Sequence, residues 1–519
     1  MDTIVRTRCG EVRGSRANDV DVFKGIPFAA PPFGANRLRP PVRPAAWSGV
    51  RDALAFGPEP PQPRPDDPSI SAMVPDPAVP GEDCLNLNIW SPGGGATGLP
   101  VMVWIPGGMF EVGTGASYDG SRFARDGIVC VTINYRVGAE GFLYLEDGIA
   151  NLGLLDQIAA LEWVRDNIAA FGGDPDNVTI FGQSAGAMSV GTLLSMPSAK
   201  GLFRRAIAQS GAADRVVSAD VALRIGRELA ERLGVPATRE AIAAVPSDRL
   251  IAAQSELKAD MLAHPDPTRW GIDVVASALP WQPVVDGDVL PGHPIDLIAD
   301  GTAEDVDIIV GSNTEDWQLF AVTNGIVGQV TDEILTSAVA DHGYRALAAY
   351  GMPPDETLAG YRAAHPDADG GQLLSIIQTD WWCRIPAMRL ADAHAHSRAA
   401  TYMYEFGWPS PVANGMFGAC HALEIGFVFD TLDKGPNQML GPLLGIDPPR
   451  SLATAMHGAW VAFVKAGDPG WPKYESDRRA TMRFDVASRV VDDPRASERA
   501  LWERLWEPSF RALAPAGSR

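Results

Sequence analysis

Val178-Thr179-Ile180-Phe181 runs directly into Gly182-Gln183-Ser184-Ala185-Gly186. A short apolar run that ends in Gly-x-Ser-x-Gly and opens into the helix-like Ala187-Met188-Ser189-Val190 reads as a buried strand, a tight turn and a helix. So tight a turn forces its serine toward unfavourable backbone angles, and the flanking glycines keep Cβ atoms out of the crowded positions beside it. The hydroxyl of Ser184 then stands clear at the top of a sheet, with the following N–H groups facing the same space. A serine hydroxyl is a poor nucleophile until a base takes its proton. The pattern therefore predicts a base, an acid and an oxyanion hole elsewhere in the chain.

Working outward, 99–105, 128–135, 206–209, 306–310 and 401–406 are further short apolar runs bounded by Gly, Pro or Asn. Their apolar character is continuous rather than alternating, which suits strands covered on both faces. Between two of them, Leu154, Ile158, Leu161, Val164, Ile168 and Phe171 recur every three or four residues and mark one face of a helix over 154–171. Strands alternating with helices predict an α/β fold with a mostly parallel sheet and helices on both sides. Residues 1–50 read as a short antiparallel introduction. Prolines crowd 57–81, which predicts a long mobile loop. The Ala-rich stretches 212–280 and 325–400 read as helical insertions walling the site. We expect one catalytic domain over 1–511 and a frayed tail over 512–519.

At 519 residues with a net charge of −21, the chain can bury a large core, and its surface repels phosphate backbones and anionic lipid. Nucleic-acid and membrane partners are therefore not expected. Residues 1–8 contain no apolar leader and no run approaches 18 apolar residues, so a cytoplasmic protein is expected. The five cysteines (Cys9, Cys84, Cys130, Cys383 and Cys420) are scattered and form no CxxC, which argues against a disulfide framework or a zinc site.

Pro106-Gly107-Gly108-Met109-Phe110 follows the run 99–105. Paired glycines at a strand end let backbone N–H groups approach a ligand closely. The N–H groups of Gly107, Gly108 and Ala185 are the expected oxyanion hole.

Together with the elbow, Glu82-Asp83-Cys84-Leu85-Asn86-Leu87-Asn88, Asn134-Tyr135-Arg136, Gly153-Leu154-Leu155-Asp156-Gln157 and Phe171-Gly172-Gly173-Asp174-Pro175 resemble the type-B carboxylesterase family, which includes bacterial p-nitrobenzyl-esterase-like enzymes and the cholinesterases. The resemblance covers about residues 5–474. It implies an α/β-hydrolase fold and a Ser, acid, His triad. The family's Gly-x-x-His is matched by Gly418-Ala419-Cys420-His421, which makes His421 the base. The family's Gly-x-Asn-x-Asp-Glu is matched by Gly311-Ser312-Asn313-Thr314-Glu315-Asp316. Matching position by position puts Asp316 in the triad where the family has glutamate, with Glu315 beside it as the alternative. Glu424 and Ser210 resemble residues that support the triad from behind. Asn134-Tyr135-Arg136 and Asp156 read as structural. Cys420 is not expected to be a nucleophile, because adjacent residues point in different directions.

Two departures bear on substrate. Gln183 stands where cholinesterases carry a glutamate, so a cationic choline ester is a poor expectation. The family's disulfide partner for Cys84 falls at Pro60, so the proline-rich loop is expected to be unstapled. Met109, Phe110, Trp281, Trp317, Phe320, Trp381 and Trp382 are candidates for an apolar pocket wall. The expected activity is hydrolysis of a neutral carboxylic ester through an acyl-serine, with no cofactor or metal. A carbamate or amide hydrolase with the same triad is the alternative; a non-catalytic homologue fits less well, since every part of the machinery is kept. The oligomeric state is open between a monomer and a small homo-oligomer.

Overall fold

The computed structural model describes residues 2–64, 73, 74, 77–326, 328–331, 335 and 352–513. Fifteen strands are seen among them: β1 (Asp2–Arg6), β2 (Glu11–Ala17), β3 (Val20–Pro27), β4 (Val50–Asp52), β5 (Asn86–Pro92), β6 (Leu99–Ile105), β7 (Val129–Ile133), β8 (Gly173–Gln183), β9 (Arg205–Gln209), β10 (Val217–Ser218), β11 (Val284–Val285), β12 (Asp307–Asn313), β13 (Thr401–Phe406), β14 (Ala480–Phe484) and β15 (Arg489–Asp492). Thirteen build one sheet in the order β1-β2-β3-β5-β7-β6-β8-β9-β12-β13-β14-β15, with β4 beside β2; β10 and β11 pair separately. From β7 through β14 every neighbouring pair is parallel; the antiparallel introduction expected over 1–50 is seen in β1, β2 and β3, with β5 continuing it antiparallel to β3 and β4 joining β2 in parallel.

Alternation along the central strands explains why their sequences are apolar throughout. Val101, Val103 and Ile105 of β6 enter one core, with Val178 and Ile180 of β8 and Ile308 and Val310 of β12. Met102, Trp104, Phe181, Ile207 and Ile309 enter a second core on the opposite face. A strand buried on both sides favours apolar residues at nearly every position, with Thr179 of β8 among the few buried polar exceptions.

The helix expected over 154–171 runs Leu152–Asn167 and tightens into a 3-10 turn, Ile168–Phe171. Arg136, just after β7, pins it by a two-pronged contact with Asp156: both N–H···O distances are 2.7 Å, and the two side chains are 1% and 0% exposed. The stretch 212–280 holds helices, among them Ala219–Leu233 and Ser247–Ala263. In 325–400 the described helices are Pro354–Ala364, Gly370–Thr379 and Ile385–His394, the last two joined by a π-helical turn, Asp380–Arg384. The expected insertion over 327, 332–334 and 336–351, the proline-rich loop over 65–72, 75 and 76, and the tail over 514–519 lie outside the described residues. The helix Ala496–Leu513 continues through the first two residues of the expected tail, 512 and 513. No described helix is long and apolar enough to cross a membrane.

Candidate active site

Four loops meet at the carboxyl ends of the parallel strands, where open α/β sheets place their sites. They follow β6, β8, β12 and β13. Ser184 follows β8 with φ 58° and ψ −127°, the strained corner that the Gly-x-Ser-x-Gly pattern predicts, and the helix Ala185–Leu193 starts at the next residue. The corner closes only with glycine at 186: a Cβ there would lie 2.0 Å from the carbonyl oxygen of Ile105.

Gly107 passes equally close beside the elbow; a Cβ on it would meet the Gln183 carbonyl at 2.5 Å and the Ser184 Cβ at 3.1 Å. The N–H groups of Gly107 and Gly108 have no acceptor among the described residues. That of Ala185 sits at the first helical position, where a helix offers no acceptor. Tyr135 steadies this loop by donating its hydroxyl to the Pro106 carbonyl at 2.8 Å. Lys258, from the first insertion, reaches Glu111 at 2.5 Å and ties the helical wall to the same loop.

The segments carrying Asp316 and His421 are stitched together by backbone. Glu315 N–H donates to the Ala419 carbonyl at 3.2 Å, and His421 N–H to the Asp316 carbonyl at 3.1 Å. Between the side chains, His421 Nδ1 lies 2.7 Å from Asp316 Oδ1. The other oxygen of Asp316 accepts from the Asn313 backbone N–H at 2.9 Å. Glu315 turns away from the imidazole: its Oε2 accepts from Thr314 Oγ1 at 2.6 Å and from the Ala419 N–H at 2.9 Å. The structure thus brings Asp316, and not Glu315, against His421.

On the cavity side, His421 Nε2 lies 3.1 Å from the Gln183 amide nitrogen. An N–H of that amide donates to a neutral imidazole whose other nitrogen carries the proton facing Asp316. Ser184, Gln183 and His421 line one cavity of about 430 Å3. No hydrogen bond between Ser184 Oγ and His421 occurs among the described residues, so the imidazole lone pair is engaged by the amide.

Glu424 sits behind the imidazole, accepting from Asn313 Nδ2 at 2.7 Å and Gln209 Nε2 at 3.2 Å. Burial, then the nearby Asp316 charge, push its carboxyl up to about 7. Ser210, expected to belong to this network, does not join it; its buried hydroxyl has no partner among the described residues. Gln209, one residue earlier, takes that place. Neither Asn313 nor Gln209 was singled out from the sequence. Asn313 lies inside the quoted Gly-x-Asn motif, which was the available signal, whereas nothing marked Gln209.

The pocket expectation needs correction. Met109 and Phe320 line the cavity, and the Phe320 ring tilts over His421 at 5.4 Å between centroids. Phe110, Trp281, Trp317, Trp381 and Trp382 do not line it. Phe110 packs edge-on against Phe142, and Trp281 is fully buried in the core. Trp317 packs partly buried against that core. Trp381 and Trp382 are buried and lie against the Arg215 guanidinium, at 4.3 and 5.2 Å. The wall is completed by residues without a sequence signal, among them Val112, Tyr118, Leu319, Met439 and Leu440.

All five cysteines are free. Burial, then Asp316 and Glu424, push the Cys420 thiol far up, so it stays protonated. Without a disulfide, the described part of the proline-rich loop is held by hydrogen bonds. The Pro58 carbonyl accepts from Asn86 Nδ2 at 2.7 Å and Asn134 Nδ2 at 3.0 Å, and Gly113 N–H donates to Gln62 Oε1 at 2.6 Å.

The family model described as "Carboxylesterase family" matches residues 1–502. The para-nitrobenzyl esterase of Bacillus subtilis is 37% identical over 510 residues, covering 96% of this chain and 97% of its own. The phenmedipham hydrolase of Pseudarthrobacter oxydans is 35% identical over 511 residues, covering 94% and 97%. Among solved structures, a Geobacillus stearothermophilus carboxylesterase superposes with a TM-score of 0.82 at 39% identity, covering 96% of this chain and 100% of that one.

Proposed function

The chain belongs to the carboxylesterase family and is a serine hydrolase of carboxylic esters with the α/β-hydrolase fold; on that premise we propose that Ser184, His421 and Asp316 are its nucleophile, base and acid. Ester hydrolysis is favoured over the carbamate or amide alternative. One observation supports the assignment above the others: His421 meets Asp316 at 2.7 Å through one ring nitrogen, while the ring lines the same cavity as Ser184.

In this reading the imidazole lone pair passes from the Gln183 amide to the Ser184 hydroxyl as the ester enters. Ser184 Oγ attacks the carbonyl carbon, and its proton moves to His421 Nε2. Asp316 stabilises the imidazolium through Nδ1–H. The N–H groups of Gly107, Gly108 and Ala185 hold the oxyanion, each such donor being worth about 3–4 kcal/mol of barrier in other hydrolases. The tetrahedral adduct collapses, His421 returns its proton to the departing alkoxide, and the alcohol leaves. Water then repeats the sequence on acyl-Ser184, with His421 taking its proton, and the acid is released.

The substrate class we propose is a neutral, partly aromatic ester. Among the described lining residues Val112, Leu319, Phe320 and Leu440 are apolar, no carboxylate occurs, and Arg64 is cationic. One catalytic domain with helical insertions over its site is the organisation we propose. The five free thiols support a reducing, cytoplasmic setting.

The direct test is labelling with a fluorophosphonate, followed by peptide mass analysis. The adduct is expected on Ser184, and p-nitrophenyl butyrate is expected to turn over faster than an acylcholine. An adduct on any other residue would overturn the assignment. A second expectation concerns pH. In Gln183→Glu, a carboxylate replaces the amide beside His421 Nε2 and its negative charge favours the imidazolium. The base is then protonated and idle over a wider acid range. The acidic limb of kcat/KM against pH should move toward higher pH. An unmoved limb would mean that Gln183 does not face the base in the working enzyme.

A further inference from the structure

Met109 and Phe110, the two residues after the paired glycines, both have φ 59°. Residues with side chains seldom take that left-handed backbone, and two in succession hold only where the surroundings over-determine them. Within the loop, the Gly108 carbonyl accepts from the Glu111 and Val112 N–H groups, each at 3.0 Å. The chain doubles back so tightly that a Cβ on Gly108 would lie 2.2 Å from the Val112 carbonyl oxygen. The two glycine N–H groups proposed for the oxyanion are therefore carried on a strained segment. Where they point depends on what grips that segment from outside.

One grip comes from the helix Ser247–Ala263 of the insertion over 212–280. Gln254 and Lys258 stand four residues apart on it and share a face. Lys258 Nζ donates to Glu111 Oε2 at 2.5 Å. Gln254 Oε1 accepts from the Ala139 N–H at 3.0 Å. Just before Ala139, Gly138 donates its N–H to the Phe110 carbonyl at 2.6 Å. One helix face thus reaches the loop twice, directly at Glu111 and by way of residues 138 and 139 at Phe110. The ion pair is shielded from water: the Lys258 and Glu111 side chains are 20% and 13% exposed. The other carboxylate oxygen of Glu111 is buried with no partner among the described residues, so Lys258 is the donor that holds this side chain.

We propose that Lys258 is a positioning residue for the oxyanion hole: through Glu111 it holds the strained loop so that the N–H groups of Gly107 and Gly108 stay aimed beside Ser184. The inference rests on those two groups being oxyanion donors. The competing explanation is that the pair only fastens the insertion to the body of the protein.

Lys258→Met keeps the reach of the side chain and removes its charge. With p-nitrophenyl butyrate it is expected to lose about tenfold or more in kcat, short of the roughly two to three decades that loss of a donor itself costs, with KM changed less than about twofold. A trifluoromethyl ketone adds to Ser184 and places its oxyanion in the same hole, so its Ki should rise by the factor by which kcat falls. A fastening role alone predicts a lower unfolding temperature, with kcat and the ketone Ki of the folded enzyme unmoved. If Lys258→Met fails to fold, Glu111→Gln carries the test: it keeps an acceptor for Lys258 without the charge, and about a threefold loss in kcat with the matching rise in Ki is expected. In the Glu111→Gln background no carboxylate is left unpaired, so the loss from Lys258→Met should shrink below about threefold. An unmoved ketone Ki, or equal losses in both backgrounds, would overturn the role of Lys258. Gly108→Ala disturbs the donors directly and is expected to lose at least about two decades in kcat. A Gly108→Ala enzyme of wild-type rate would instead overturn the oxyanion assignment.

Discussion

Ser184→Ala is expected to lower kcat for p-nitrophenyl butyrate by at least about three decades and to abolish fluorophosphonate labelling. The size follows from what remains. Alanine keeps the Cβ, so the corner at φ 58° is strained to the same degree as before and the helix Ala185–Leu193 starts at the same place. The cavity and the N–H groups of Gly107 and Gly108 are untouched, so substrate still binds and a carbonyl still points at them. Only the attacking oxygen is lost. A residual rate above water, from oxyanion stabilisation and binding alone, is expected of other hydrolases stripped of their nucleophile. Thermal unfolding should move by no more than a few degrees, which separates a chemical loss from a structural one. A loss smaller than about tenfold would require a second nucleophile within reach. The nearby thiols do not qualify: Cys383 and Cys420 are both buried, and burial keeps both protonated.

How much of this was legible in the sequence depended on whether a local pattern carried the constraint. The elbow is local, since strand, glycine, serine, glycine and helix are consecutive, and its geometry is dictated by sterics within nine residues. The central strands were legible because burial on both faces leaves an unbroken apolar run. Their ends were not. The run 178–181 lies inside β8, which begins at Gly173, because Gly173 pairs with Leu99 of β6 across an irregularity that takes in residues 174–177, which no hydrophobic pattern marks. The pocket was the least legible part. Tryptophan pairs such as Trp381-Trp382 announce burial, but whether a buried ring faces a cavity or a guanidinium depends on the partner element, here the one carrying Arg215.

Asp316→Asn is expected to cost about four decades in kcat, the scale seen when the orienting acid of another serine hydrolase is neutralised. The reason lies in the donors around the side chain. Asp316 Oδ2 accepts from the Asn313 backbone N–H, and Oδ1 faces His421 Nδ1. An asparagine has one acceptor to offer where the carboxylate had two. The Asn313 N–H is fixed in the backbone at the end of β12 and cannot turn away, so the amide oxygen goes to it. The amide N–H2 then points at His421 Nδ1 and donates to it. That forces the ring proton onto Nε2, the nitrogen that must accept from Ser184, and the base is lost without any change of shape. Glu315→Gln is the matched comparison. Glu315 Oε2 accepts from Thr314 and the Ala419 N–H, so its replacement loosens the segment that carries His421 but leaves the tautomer intact. A loss of at most about tenfold is expected there, in line with one charge-assisted hydrogen bond. Activities measured side by side on the two variants assign the acid: if the large loss fell on Glu315→Gln and the small one on Asp316→Asn, residue 315 would hold the imidazole in the working enzyme.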